Sequence, residues 1–273
     1  MKPLSSFFGL KPEKSLKKII TWQECPEHGS YQAAEIWLGD ELKSRDMCPM
    51  CAREQAKREE AELEEKRKQE RQDRLAKRKA FARIPLEYRE KGFEEFLITN
   101  ESQGKAFNLA NRFVRGWEKA KEGGYGLLFV GNCGTGKTHL ACAILQALME
   151  RYEDFMPYYY RTSEVFSAVR KTYVPGSFKT EEDVIQQFCA MDLLVLDEIG
   201  VQKGSEAERR TLFAILDARM GNKKPTILLT NLNRKELEEV IGERLYDRIR
   251  SKCVLYLFKG ESMRPTASAE LFD

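Results

Sequence analysis

"LLFVGNCGTGKTHLACAILQAL", residues 127–148, decides the fold of this chain. An apolar run, Leu127 to Val130, is followed by Gly131, Gly134 and Gly136, then by Lys137-Thr138 and a segment with apolar residues at helical spacing. That succession is a strand, a glycine-rich turn and a helix. In the turn Gly131-Asn132-Cys133-Gly134-Thr135-Gly136, the glycines let successive N–H groups face phosphate oxygens, and the helix N-terminus adds partial positive charge. Lys137 is placed to reach the β- and γ-phosphates of a nucleoside triphosphate, and Thr138 to ligate magnesium. A glycine-rich turn with no ligand is the alternative, and it accounts for neither the lysine nor the hydroxyl.

Downstream, "LLVLDEIG" (193–200) is an apolar strand that ends in two carboxylates, a costly arrangement unless a cation or a reaction uses them. Asp197 suits magnesium held through water, and Glu198 suits a base that orients and polarises the attacking water. The pair favours hydrolysis over phosphoryl transfer to a metabolite. "TILLTNLN" (226–233) is another apolar strand, and Asn231 at its end is placed either to contact the water or γ-phosphate or to cap the next helix. "GERLYDRIRS" (242–251) carries Arg244, Arg248 and Arg250. A guanidinium suits developing phosphoryl charge, although surface ion pairs would use the same residues.

Around these motifs, strand and helix signals alternate from about Phe81 to the end, which predicts a mainly parallel sheet covered by helices. The expected strands are 127–130, 157–161, 193–197, 226–230 and 254–258. Helix starts are marked by Thr180 with Asp183, Ser205 with Glu208 and Asn233 with Glu236, and Gly221 and Gly242 are expected to end helices. The chain has 273 residues, 42% of them apolar, enough for one nucleotide-binding domain and a small appendage. Its 46 basic and 43 acidic residues leave a net charge of +3, so any nucleic-acid contact rests on local patches. No apolar run is long enough to span a bilayer, and seven scattered cysteines fit a reducing compartment, so a cytoplasmic location is expected.

The N-terminal 51 residues hold Cys25-x2-His28 and Cys48-x2-Cys51, four soft ligands in two close pairs separated by nineteen residues. A two-residue gap lets a tight turn point both side chains at one ion, and an intervening hairpin returns the second pair to complete a tetrahedron. A structural zinc with all four positions filled by protein is expected; core thiols with a surface histidine are the alternative. Residues 52–80 have only Leu63 and Leu75 as large apolar residues, which excludes a coiled-coil seam. Glu62/Lys66, Glu64/Lys68, Glu70/Arg74 and Asp73/Lys77 lie four apart in the favourable order and predict a solvated linker helix. The domains are therefore 1–51, a zinc-binding module; 52–80, a charged helical linker; and 81–273, the nucleotide-binding domain.

Taken together, "IPLEYREKGFEEF" (84–96), "GNCGTGKTHLA" (131–141), "LLVLDEIG" (193–200), "GSEAERRTLFAILDAR" (204–219), "TILLTNL" (226–232) and "GERLYDRIR" (242–250) resemble the AAA+ ATPases. Within that group they resemble specifically the DnaC/DnaI helicase loaders and the related IstB transposition ATPases. The resemblance implies an α/β P-loop NTPase domain with a five-stranded parallel sheet, flanking helices and a small lid. It implies ATP hydrolysis at an interface between self-associating subunits. Asn231 then takes the sensor position, Arg248 that of the arginine finger with Arg244 as competitor, and Arg264 that of a second sensor.

The resemblance also implies partners: a hexameric replicative helicase gripped by the N-terminal module, and single-stranded DNA. Residues 164–188 correspond to a helical insertion that faces DNA in such relatives, and Arg170, Lys171, Tyr173, Phe178 and Lys179 supply charge and stacking surface there. Alternatively, Phe166, Val169 and Tyr173 form the buried stripe of an amphipathic helix. The expected function is ATP-dependent loading of the helicase, with ATP/ADP, Mg and Zn as cofactors. The rival readings are an IstB-like transposition helper that assembles on duplex DNA, and a nucleotide-gated adaptor with negligible turnover.

Overall fold

The computed structural model describes residues 15–200 and 205–263, and the chain divides into two compact units, Met1–Gln72 and Asp73–Asp273. In the first unit, strands β1 (Leu16–Cys25) and β2 (Gly29–Leu38) form an antiparallel hairpin that pairs Leu16 with Leu38 and Cys25 with Gly29. Strand β3 (Glu41–Arg45) extends the sheet past a bulge at Ile36/Trp37. Helix α1 (Pro49–Phe81) follows at once, with proline in its first turn, where no N–H is needed. It is 33 residues long, contains no buried residue, and runs past the division between the units. Its composition allows nothing else, since it has no apolar stripe to bury.

The second unit is built on a five-stranded parallel sheet, in the order β5 (Pro157–Arg161), β6 (Leu193–Asp197), β7 (Thr226–Thr230), β4 (Gly126–Val130), β8 (Cys253–Leu257). The last strand is shifted one residue from the expected 254–258: Phe258 only donates its N–H to the carbonyl of Val130. Strands β4, β6 and β7 are buried throughout, which is why they read as unbroken apolar runs. Their side chains alternate between two cores. Leu127, Phe129, Leu193, Val195, Ile227 and Leu229 pack with helices α2 (Glu101–Arg115), α3 (Trp117–Gly123) and α4 (Lys137–Arg151). Leu128, Val130, Leu194, Leu196 and Leu228 pack with α5 (Thr162–Arg170), α6 (Glu181–Ala190), α7 (Glu206–Gly221), α8 (Arg234–Ile241) and α9 (Glu243–Lys252).

The expected caps form: Thr180, Ser205 and Asn233 accept from the backbone three residues on. Gly242 ends α8 with a φ of +84°, whereas Gly221 is the last residue of α7 and the left-handed residue beyond it is Lys223. The last turn of α1 is fastened to this unit by Arg78, which donates to the carbonyls of Met149, Tyr152 and Phe155 at the C-terminal end of α4. Among the described residues no helix follows β8, and none is long and apolar enough to cross a membrane. Arg264 lies outside the described residues.

Candidate nucleotide site

The carboxyl ends of β4, β6 and β7 converge on one cavity of about 460 Å³, lined by Gly134, Gly136, Lys137, Thr138, Asp197, Glu198 and Asn231, among others. This is where an open parallel sheet presents a ligand site, because strand ends and helix N-termini meet there. Gly134 and Gly136 have φ of +75° and +99°, and a Cβ on Gly136 would lie 2.7 Å from the Phe96 ring. Both positions therefore require glycine. Thr135 is buried and donates to the carbonyl of Asn132, which tightens the loop. Lys137 is 6% exposed, and its Nζ donates to the carbonyls of Gly131 and Asn132 at 2.7 Å each. The lysine is thus folded back on its own loop, at the N-terminus of α4.

Asp197 is buried at the end of β6 and accepts three hydrogen bonds. Thr138 Oγ1 donates to Oδ2 at 2.9 Å, Tyr159 Oη donates to the same oxygen at 2.6 Å, and the Glu198 N–H donates to Oδ1 at 2.7 Å. The backbone here is clasped as well: Thr162 Oγ1 donates to the Asp197 carbonyl and Thr230 Oγ1 to that of Ile199. Burial, and then the charge of Asp197, push the Tyr159 phenol far above its ordinary range, so it keeps the proton that it donates to Asp197. Glu198 has a φ of +60°, uncommon for a residue with a side chain, and Arg161 Nε lies 3.8 Å from its Oε1. That carboxylate in turn raises the Arg161 pKa.

Asn231 does not cap α8; Asn233 does, and the Asn231 amide instead donates to Cys133 Sγ of the phosphate loop at 3.1 Å. Arg248 is not in the cavity: it is ion-paired with Asp217 of α7, while Arg244 is exposed with its guanidinium 5.5 Å over the Phe213 ring. Residues 164–188 divide. Phe166 and Val169 are buried in the core, as the amphipathic alternative required, but Tyr173 is not. Tyr173 is 61% exposed and donates to Glu181, Phe178 is fully exposed, and Lys171 and Lys179 are exposed beside them. Arg170 ion-pairs with Glu208 at 3.2 Å.

Several residues of the site carry no motif of their own. Tyr159 and Arg161 sit in "PYYYR", legible only as a strand. The stretch 84–96 walls the cavity with Glu87, Tyr88, Lys91, Glu95 and Phe96. It is held on α4 by His139, whose Nε2 lies 2.8 Å from the Gly92 carbonyl, and by Gln146, which donates to the carbonyls of Tyr88 and Lys91. The only sequence signal for this wall was its place in the resemblance.

In the first unit, Cys25, His28, Cys48 and Cys51 bring their donor atoms within 4.8 Å of one another. Cys25 Sγ lies 3.5 Å from Cys51 Sγ, and His28 Nδ1 lies 3.7 and 3.3 Å from these two sulfurs. A tetrahedral ion with bonds near 2.3 Å to sulfur needs donors about 3.8 Å apart, so the cluster fits one. Cys25 ends β1, His28 closes the hairpin turn, and Cys48 and Cys51 flank the start of α1. The other ring nitrogen of His28 faces Glu54 Oε1 at 3.4 Å, the kind of partner that orients a ligating imidazole. The Glu27 backbone, then His28, lower the Cys25 pKa, whereas the adjacent Cys25 raises that of Cys51.

Comparison with known proteins agrees with this geometry. The family model described as "IstB-like ATP binding protein" matches residues 50–270. The replicative helicase loader DnaC of Escherichia coli K12 is 35% identical over 173 residues, 63% of this chain and 68% of that protein. A crystal structure of the DnaC helicase loader superposes with a TM-score of 0.57 at 27% identity, covering 64% of this chain and all of that one. The crystal structure of DnaI gives a TM-score of 0.55 at 23% identity, over 64% of this chain and 95% of that one, and supports the fold. With a glycine-rich loop, an adjoining carboxylate pair and a family match over residues 50–270, the chain belongs to the IstB-like ATP-binding family and is a P-loop ATPase of the AAA+ fold.

Proposed function

We propose that this chain loads a hexameric replicative DNA helicase onto single-stranded DNA, using ATP as an assembly switch. The observation that carries the reading is that Lys137, Thr138, Asp197 and Glu198 line one cavity, on a chain whose relatives include DnaC. Hydrolysis distinguishes this reading from a passive adaptor, since a gate that never turns over needs no Glu198 beside the phosphates. Thr138 and Asp197 would hold magnesium, which supplies neutralisation of phosphate charge when bound. Asn231, released from Cys133, would contact the γ-phosphate. Arg248 would act as the finger offered to a neighbour's ATP once it leaves Asp217; Arg244 is the competitor.

Residues 1–51 would form the helicase-docking module, with zinc held by Cys25, His28, Cys48 and Cys51 as its structural staple; such an ion supplies folding energy to a unit with few buried apolar side chains. The charged helix that follows would be the linker. The exposed Tyr173, Phe178, Lys171 and Lys179 suit single-stranded DNA, because stacking surface and charge lie together. A second reading is a transposition helper that assembles on duplex DNA, favoured by the family description itself. Native mass spectrometry of the chain mixed with its own organism's replicative helicase, in ATP and then ADP, separates the two. A discrete, nucleotide-dependent complex lost on deletion of residues 1–51 is expected. No complex in either state would shift the reading to the duplex-DNA helper.

A further inference from the structure

Tyr159 is a phenol inside the core of an ATPase, with its hydroxyl on a carboxylate. Its ring packs in the core on the α4 side of the sheet and is 4% exposed. Its backbone sits opposite Val195 on the neighbouring strand β6, two residues before Asp197, and its N–H is fixed by the Ala82 carbonyl. The hydroxyl donates to Asp197 Oδ2 at 2.6 Å, the oxygen that also accepts from Thr138. A carboxylate with one donor rotates about its last bond. Donors from two different elements, β5 and α4, leave Oδ2 a single orientation, with the Glu198 N–H fixing Oδ1.

We infer that Tyr159 is a positioning residue for the magnesium site: by pinning Asp197 Oδ2 together with Thr138, it sets the carboxylate plane that a hydrated divalent cation meets. The inference rests on the ATPase reading and adds a residue to it. Two effects of removing the hydroxyl oppose each other. Oδ2 would gain free electron density, which attracts a cation, but the carboxylate would lose its orientation. Orientation wins for an ion held through water, since the contact is directional and partners behind metal-site carboxylates commonly contribute about 10- to 100-fold in metal affinity or activity. Tyr159→Phe removes only the hydroxyl, and Oδ2 keeps Thr138, so no buried acceptor is orphaned.

The test compares wild type and Tyr159→Phe in three measurements. The half-saturating Mg2+ concentration of ATP turnover is expected to rise about tenfold, by more than kcat falls. Mn2+ bound to the protein–nucleotide complex, read by electron paramagnetic resonance, is expected to weaken by a similar factor. Binding of a fluorescent ATP analogue in EDTA is expected to match wild type, which also reports that the variant is folded. A Mg2+ requirement and Mn2+ affinity within twofold of wild type would overturn the inference. Loss of metal-free nucleotide binding would overturn it too, because the phenol would then be holding the fold. A wild type that binds no Mg2+-nucleotide would bring down the ATPase reading together with this one.

Discussion

Thr138 and Asp197, 59 residues apart in the chain, are joined by a 2.9 Å hydrogen bond from hydroxyl to carboxylate. That bond ties the first turn of α4, which follows the glycine-rich loop, to the end of β6, where the carboxylate pair Asp197-Glu198 begins. Two motifs that are separate on paper are therefore one site, and each prediction below tests a part of it or of its supports.

Lys137→Ala should lower ATP affinity by about 100-fold, since a charge-assisted contact to phosphate is worth roughly 3 kcal/mol. It should also reduce stability by about 1–2 kcal/mol, because the Gly131 carbonyl loses the Lys137 donor and that of Asn132 keeps only Thr135. Titration with a fluorescent nucleotide, alongside thermal melting, separates the two. Near-normal affinity in a folded variant would remove the phosphate-loop assignment.

At position 198 the proposed catalytic role and backbone comfort are opposed. Glu198→Gln should bind ATP normally and lose most turnover. Glu198→Gly should lose turnover as well, yet gain up to about 1 kcal/mol of stability, because glycine accepts the φ of +60° freely. Turnover assays and denaturant midpoints on both variants check this. A Glu198→Gln protein with wild-type turnover would mean another group activates the water.

The finger assignment is decided by mixing. Arg248→Ala should spare ATP binding and lower turnover, and adding Lys137→Ala protein should restore part of it if the finger acts on a neighbour's ATP. Loss of the Asp217 pair should cost about 1 kcal/mol or less, since both groups are partly exposed. Unchanged turnover in Arg248→Ala with a deficit in Arg244→Ala would transfer the role.

Metal analysis of purified protein should find about one zinc per chain, absent in Cys48→Ser, and a chelator should unfold the first unit before the second. A metal-free wild type with an intact first unit by hydrogen exchange would refute the zinc module.

Arg219, in α7, is fully buried and donates to Thr226 Oγ1 and to the carbonyls of Phe188, Met191 and Pro225. Burial draws its pKa down to about 10, so it stays charged at neutral pH. Arg219→Met fits the space but strands the Phe188 and Met191 carbonyls, since that of Pro225 keeps the Leu194 N–H, and should cost about 3 kcal/mol or more in denaturant melts with little direct effect on nucleotide affinity. A neutral outcome would mean water replaces the guanidinium.

By itself the sequence determined the strand–loop–helix at 127–148, three of the five strands of the parallel sheet to the residue and the other two to within one residue, the capped starts of α6, α7 and α8, and the paired Cys/His spacing. These features are local: a glycine at a positive φ, an apolar run and a cap each act within a few residues. Tertiary structure decided what depends on distant groups meeting. It placed Tyr159 on Asp197 and Arg161 beside Glu198, gave Asn231 to Cys133 rather than to the next helix, and set Arg248 on Asp217. It also divided the 164–188 segment into buried Phe166 and Val169 and exposed Tyr173 and Phe178. A side chain's partner across a sheet is fixed by strand order and register, and strand order here, β5-β6-β7-β4-β8, is a property of the assembled layers that no single stretch encodes.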